Sequence, residues 1–419
     1  MINKEILRQI ITQQKKELFL SQETVEREIL EEILSWFNDN RVIILTGIRR
    51  AGKSTILKQI MQKKSNFCYA NFEDERFINF KSQDFEQLNE VLVEIYENPK
   101  IYFFDEIQNV EKFEVFIRRL QDQGKKIVIT GSNASLLSKE LGTRLTGRYK
   151  SFEVYPFSFR EYLNFNGINY NKEWFYLTEK KVKLIKSFEE YLFNGGLPEY
   201  LKNKDKEYIK TLYENILYRD IIARYLIKKQ KIIKELASIL STNISSLFTY
   251  NSLKNDLGLS NSITVKEYIS YLNNSYLFFE LQKFDFSIRK QLNSPKKIYL
   301  VDPVFSQISS FNFSRNKGRL LENLVFIELK RRNKEIYYHS NKNECDFVIK
   351  NGRNAYEAIQ VCYILNKDSQ EREINGLLEA INKFKLKKGL ILTYEQEDEI
   401  KIKNKNIKIM SVWKWLLKI

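Results

Sequence analysis

The stretch Gly47-Ile48-Arg49-Arg50-Ala51-Gly52-Lys53-Ser54 limits what this chain can fold into more than any other. It fits the spacing G-x-x-x-x-G-K-[ST] and stands between an apolar run, Val42–Thr46, and a helix-forming stretch at 55–63. A strand that ends on a glycine and restarts as a helix presents a curl of backbone N–H groups and the positive end of the helix, a cradle for phosphate. The spacing predicts that Gly47, Ile48, Arg49, Arg50, Ala51, Gly52 and Thr55 line the phosphates. Lys53 is expected to reach the β- and γ-phosphates, and the Ser54 hydroxyl to ligate Mg²⁺.

The run Ile101-Tyr102-Phe103-Phe104 is a buried strand by composition, and it ends in Asp105-Glu106. An aspartate at that end suits Mg²⁺, and the next glutamate is placed to polarise an attacking water. The adjacent acids favour ATP over GTP. A further strand at 127–130 runs into Gly131-Ser132-Asn133, where Ser132 or Asn133 is positioned to contact the γ-phosphate or hold the water. Arg144 and Arg148 follow, candidates to stabilise charge in cis or from a neighbouring molecule.

Composition narrows the partners. The chain has 419 residues and a net charge of +16, which favours a polyanion, nucleic acid before membrane. One histidine, His339, excludes any site needing a pair, and three cysteines far apart (Cys68, Cys345, Cys362) indicate no disulfide framework. No apolar run approaches the length of a membrane span, and the charged opening is no signal peptide, so a cytoplasmic protein is expected.

Short apolar runs alternating with helical stretches from Arg41 predict an α/β domain with a parallel sheet over 1–155, preceded by helices such as 26–37. A helical, aromatic-rich segment is expected over 156–225, a winged helix over 226–295 and a mixed α/β domain over 296–419.

With these segments in place, the chain resembles the AAA-like P-loop ATPases of archaea and bacteria that carry a C-terminal domain with a restriction-endonuclease-like fold. The strings that carry the resemblance are 47–55, Asn71-Phe72-Glu73-Asp74-Glu75-Arg76, Asp105-Glu106-Ile107-Gln108, Gly131-Ser132-Asn133 and Leu145-Thr146-Gly147-Arg148. Phe157-Ser158-Phe159-Arg160-Glu161-Tyr162, Gly195-Gly196-Leu197-Pro198-Glu199 and Tyr218-Arg219-Asp220 extend it. The resemblance implies ATP binding and hydrolysis.

In the middle segment, helices at 232–240, 252–258 and 262–274 would precede wing strands at 277–286 and 296–300, with a glycine turn in Asp256-Leu257-Gly258-Leu259-Ser260. On the third helix Ile263, Tyr268, Ile269 and Leu272 form the expected apolar stripe, leaving Thr264, Lys266, Glu267 and Ser270 outward. Flanking Lys228, Lys229, Lys231, Lys234, Arg289, Lys290, Lys296 and Lys297 favour DNA as partner over packing against protein.

A nuclease site of the PD-(D/E)-x-K kind needs an acid on a helix, an Asp opening a strand, and an acid-x-Lys on the next strand. Glu322 and Asp346 supply the first two. Gln360 then stands where the acid belongs and Cys362 where the lysine belongs, so the constellation is degenerate unless Lys342 or Lys350 substitutes. His339 either lines this cleft or packs beside Tyr337 and Tyr338. The expectation is therefore a Mg²⁺-dependent ATPase that drives or gates its attached domains, acting on DNA alone, as a homo-oligomer or with a protein partner. The alternatives are a nucleotide-gated binding switch and, more weakly, an ATP-licensed nuclease.

Overall fold

Strand β1 (Val42–Thr46) is buried at every position, as a run of Val, Ile and Leu with helices on both faces must be. In the computed structural model, which describes residues 2–18, 24–134, 147–308, 316–352 and 354–417, it lies inside a five-stranded sheet. The order is β2 (Phe67–Asn71), β3 (Ile101–Asp105), β4 (Lys126–Gly131), β1, β5 (Tyr149–Glu153), and every neighbouring pair is parallel. Crossovers run through helices Lys53–Gln62, Phe85–Tyr96 and Phe113–Asp122. Rings of Phe72, Phe77, Phe80, Phe85, Phe104 and Phe116 pack together in edge-on, tilted and stacked pairs in one buried cluster. The expected helix at 26–37 is shorter, Leu30–Ser35, because Arg27 turns inward instead of continuing an exposed helical face.

The chain divides into two units. One comprises Met1–Tyr155 with the short segment Asn274–Tyr276; the other comprises Pro156–Asn273 and Leu277–Ile419. In the second unit helices Gln230–Thr242, Tyr250–Asp256 and Ser262–Asn274 accompany a small antiparallel sheet ordered β6 (Leu247–Phe248), β8 (Lys296–Leu300), β7 (Phe278–Leu281). A six-stranded mixed sheet follows, ordered β13 (Asp398–Ile402), β14 (Lys405–Ser411), β12 (Lys388–Thr393), β11 (Asn354–Cys362), β10 (Glu344–Asn351), β9 (Glu335–Ser340). Helices Lys317–Arg331 and Lys367–Lys383 pack on it, and Trp413 and Trp415 of the last helix are buried. Among the described residues no helix is long and apolar enough to cross a membrane.

Contact dictates the adjacent glycines Gly195 and Gly196 in this unit. A Cβ on Gly195 would lie 1.6 Å from Asp302 Oδ1, and one on Gly196 would lie 2.3 Å from the Phe157 carbonyl oxygen. The Gly196 N–H donates to Asp302 Oδ2 at 2.7 Å, and the Gly196 carbonyl accepts from Phe157 N–H at 2.8 Å. Positions 195 and 196 thus form a backbone joint with no room for a side chain.

Candidate active site

The loop after β1 has the shape its sequence demands. Gly47 lies at φ 144°, where a Cβ would fall 2.1 Å from the Val154 carbonyl oxygen, and Gly52 adopts φ 97° as it caps helix Lys53–Gln62. Lys53 is buried, and its ammonium donates to the carbonyls of Gly47 (3.0 Å) and Ile48 (3.1 Å), so it hangs over the interior of the loop. Arg49 is held by Glu73 at 2.6 Å, and Arg50 is exposed at φ 67°. Ser54 and Thr55 follow Lys53 in the first turn of the helix, with Ser54 near Asp105.

Because β4 separates β1 from β3, the end of β4 stands between Lys53 and the acids. Thr130 of β4 ties them: its hydroxyl donates to Asp105 Oδ1 and accepts the Glu106 N–H at 2.9 Å. Glu106 takes φ 50°, a strained left-handed turn that swings its carboxylate off the strand. Its Oε1 lies 3.6 Å from the Lys53 ammonium, and Gln108 donates to its Oε2. Burial pushes the Glu106 carboxyl up, but Lys53, Gln108 and Arg49 outweigh it and hold it below the ordinary range. Asp105 is shifted the other way, raised by burial first and by Glu106 second. Ser132 and Asn133 are buried at the end of β4.

Of the two arginines proposed for charge stabilisation, Arg144 lies outside the described residues. Arg148 is a correction. It precedes β5 at the opposite end of the sheet, where its carbonyl accepts from Val42 N–H and its guanidinium pairs with Asp122 at 2.6 Å. Five residues of strand, roughly 16 Å, separate it from the phosphate loop of its own chain.

Besides Thr130, several residues that support the site escaped the sequence reading. Arg27, buried, donates to the carbonyls of Ala51 and Tyr155, both at 2.7 Å, and so braces the loop from behind. Gln108 orients Glu106. The Tyr276 hydroxyl donates to Thr46 Oγ1 at 2.8 Å, and the Asn274 carbonyl accepts from Ala134 N–H at 2.8 Å. Nothing in the local sequence marks Arg27 or Tyr276; the only available signal was Gln108 in the string 105–108.

Residues 39–163 match the model of an AAA domain, 185–306 a domain of unknown function (DUF8612) and 317–415 another (DUF4143). Uncharacterized protein MJ1544 of Methanocaldococcus jannaschii is 38% identical over 100% of this chain and 96% of its own length. The chain belongs to the MJ1544 family of AAA-like P-loop ATPases. An uncharacterized protein of Haemophilus influenzae is 29% identical over 95% of this chain and 100% of its own. The Walker-type ATPase PABY2304 of Pyrococcus abyssi matches with a TM-score of 0.43 at 17% identity, covering 70% of this chain and 99% of that one.

The C-terminal part of this MJ1544-family member brings together Glu322 and Asp346, with the Asp346 N–H facing Gln360 Oε1 at 3.3 Å. Cys362 is not among them: its thiol turns to the Ile364 carbonyl. Of the two lysines considered as substitutes, Lys342 is exposed and Lys350 pairs with Glu335 at 2.8 Å. The lysine present is Lys297 of β8, its ammonium 2.9 Å from Glu322, 2.8 Å from Asp346 and 2.7 Å from Glu344. That corrects its assignment as a surface flank, as does Lys296, buried and bonded to the Leu292 and Ser294 carbonyls. His339 is buried on Glu379 at 2.9 Å and edge-on to Phe384, so it packs and does not line the acids. On helix Ser262–Asn274, Val265 takes the buried place expected of Ile263, which is exposed.

Proposed function

We propose that this chain is a Mg²⁺-dependent ATPase whose nucleotide state gates a DNA-binding segment. The observation that carries the reading is the convergence of Lys53, Asp105 and Glu106 at one end of the parallel sheet, with Glu106 held ionised. The residues fit a nucleotide and its metal: Gly47 and Gly52 hold the positive-φ backbone of the loop, the Lys53 ammonium hangs over its interior, and Ser54 stands near Asp105. Ser54 and Asp105 would hold Mg²⁺, which supplies charge neutralisation on the phosphate oxygens. Lys53 would bind the β- and γ-phosphates. Glu106 would then polarise a water as its oxygen bonds the γ-phosphorus and the bond to the bridging oxygen of ADP breaks, with Asn133 orienting it. The arginine role rests with Arg144 or with a second copy.

Helices Gln230–Thr242, Tyr250–Asp256 and Ser262–Asn274 with β6, β7 and β8 form what we read as a winged helix. Between β7 and β8, Arg289 and Lys290 are exposed beside exposed Phe286, Ile288 and Leu292. Basic and apolar side chains on one wing suit a nucleic-acid groove. Asn274–Tyr276, leaving the last helix of that segment, would report nucleotide state through Thr46 and Ala134. The mixed C-terminal sheet is read as endonuclease-like with a closed cleavage site. Steady-state turnover tests the core of this: Glu106→Gln should keep ATP binding while hydrolysis drops by about 10²-fold or more, and normal turnover contradicts the reading.

A further inference from the structure

Lys297 lies in a place that its own strand does not explain. It sits on β8, paired with Leu281 of β7 and Leu247 of β6, yet its side chain leaves that sheet for the carboxylates of helix Lys317–Arg331 and β10. The helix grips the strand to make this possible. Asn323, fully buried, accepts the Leu300 N–H at 2.8 Å and donates to the Leu300 carbonyl at 2.9 Å. Tyr299, two residues from Lys297 and on the same face of β8, stacks on Phe326 with ring centroids 4.0 Å apart and donates to Glu322 at 2.7 Å.

The ammonium, 1% exposed, has a carboxylate oxygen of Glu322, Glu344 and Asp346 within 2.7–2.9 Å, one for each of its protons. The remaining inner groups are also engaged. Asp346 Oδ2 accepts the Val361 N–H at 2.9 Å, and the Gln360 amide donates to Glu373 at 2.5 Å. Three acids around a small cation are what a divalent metal site offers, but here a lysine supplies the charge. Burial, and Asp346 next, push the Glu322 carboxyl up from its ordinary range, while the Lys297 ammonium and the Tyr299 hydroxyl act against that shift. Among the described residues no group of three or more His, Cys, Asp or Glu side chains is arranged to hold a metal.

We propose that the Lys297 ammonium stands in for a divalent cation among Glu322, Glu344 and Asp346, closing the C-terminal domain to metal, and that removing this ammonium turns the three carboxylates into a divalent-cation site. The inference goes beyond the ATPase reading and does not depend on it. The strand that carries the substitute cation also belongs to the wing sheet, so the ion cluster fastens β8 to helix Lys317–Arg331 as well.

Mn²⁺ binding to the nucleotide-free full chain, read by electron paramagnetic resonance, tests it. Wild type and Asp346→Asn should take up the same amount of Mn²⁺. Lys297→Met should take up about one equivalent more, lost again in Lys297→Met/Asp346→Asn, and its melting temperature should rise with MnCl₂ where the wild type's does not. Should Lys297→Met be too unstable to purify, Lys297→Gln, which keeps a donor toward the carboxylates, gives the same comparison. Mn²⁺ uptake by wild type that Asp346→Asn abolishes would overturn the proposal, since the ammonium would then act beside a metal instead of replacing it. So would a folded Lys297 variant that takes up no additional Mn²⁺.

Discussion

Individual side chains carry the chemistry, and their positions follow from steric and electrostatic demands that can be read one at a time. Lys53, Ser54 and Asp105 were legible because a phosphate cradle dictates residue types at fixed spacing, and spacing is what a sequence displays. Lys297 was not, because it meets acids 25 and 49 residues further along the chain, a proximity created by the topology of two sheets. Arg148 misled for the opposite reason: its place in a familiar string says nothing about which end of the sheet it occupies. At this scale the Gly-Gly joint gives a direct test. Gly196→Ala places a methyl against the Phe157 carbonyl, where backbone has to move, and should cost at least about 2 kcal/mol of unfolding free energy in urea melts. A neutral result would remove the packing explanation of that string.

At the scale of elements, the parallel sheet and its crossovers match the expected pattern closely, since buried strands of Val, Ile and Phe leave little ambiguity. The third helix of the middle segment shows where periodicity fails. Ile263 and Val265 are both apolar, and only the fold decides which one is buried. Two predictions belong here. Tyr276→Phe removes the hydroxyl on Thr46, so ATP should still bind while the ATP-dependent change in DNA affinity shrinks. Gel-shift titrations with and without ATP, finding the change undiminished, would remove Tyr276 from the coupling. Arg289→Ala/Lys290→Ala should weaken DNA binding and flatten the dependence of log K on log salt by about 2. An unaltered slope would move the DNA surface elsewhere.

At the scale of the whole molecule, buried charge sets how stability responds to pH. Burial pushes Asp302 up to about 7, against the bonds it accepts from Gly196 and Val304. Its folded value is above the unfolded value of about 4, so its contribution is fully present below that and is lost as pH rises through 7. Asp74 runs opposite: Arg76 holds it down at about 2, and that contribution is lost as pH falls from about 4 towards 2. Stability should therefore peak where these two windows meet, near pH 4. Urea melts from pH 5 to 8.5 should show the unit containing Asp302 weakening as pH rises, with Asp302→Asn lower at pH 5 but flatter above it. Parallel profiles would show that Asp302 does not titrate in that range.

Everything assigned to nucleotide chemistry depends on a triphosphate lying against Lys53 with its metal on Ser54 and Asp105. Isothermal titration of ATP with Mg²⁺ into the purified full chain measures this most directly. The account predicts one-to-one binding for wild type and Glu106→Gln, and loss of most of the heat in Lys53→Ala. Wild type that takes up no ATP, or Lys53→Ala that binds as wild type does, would contradict it.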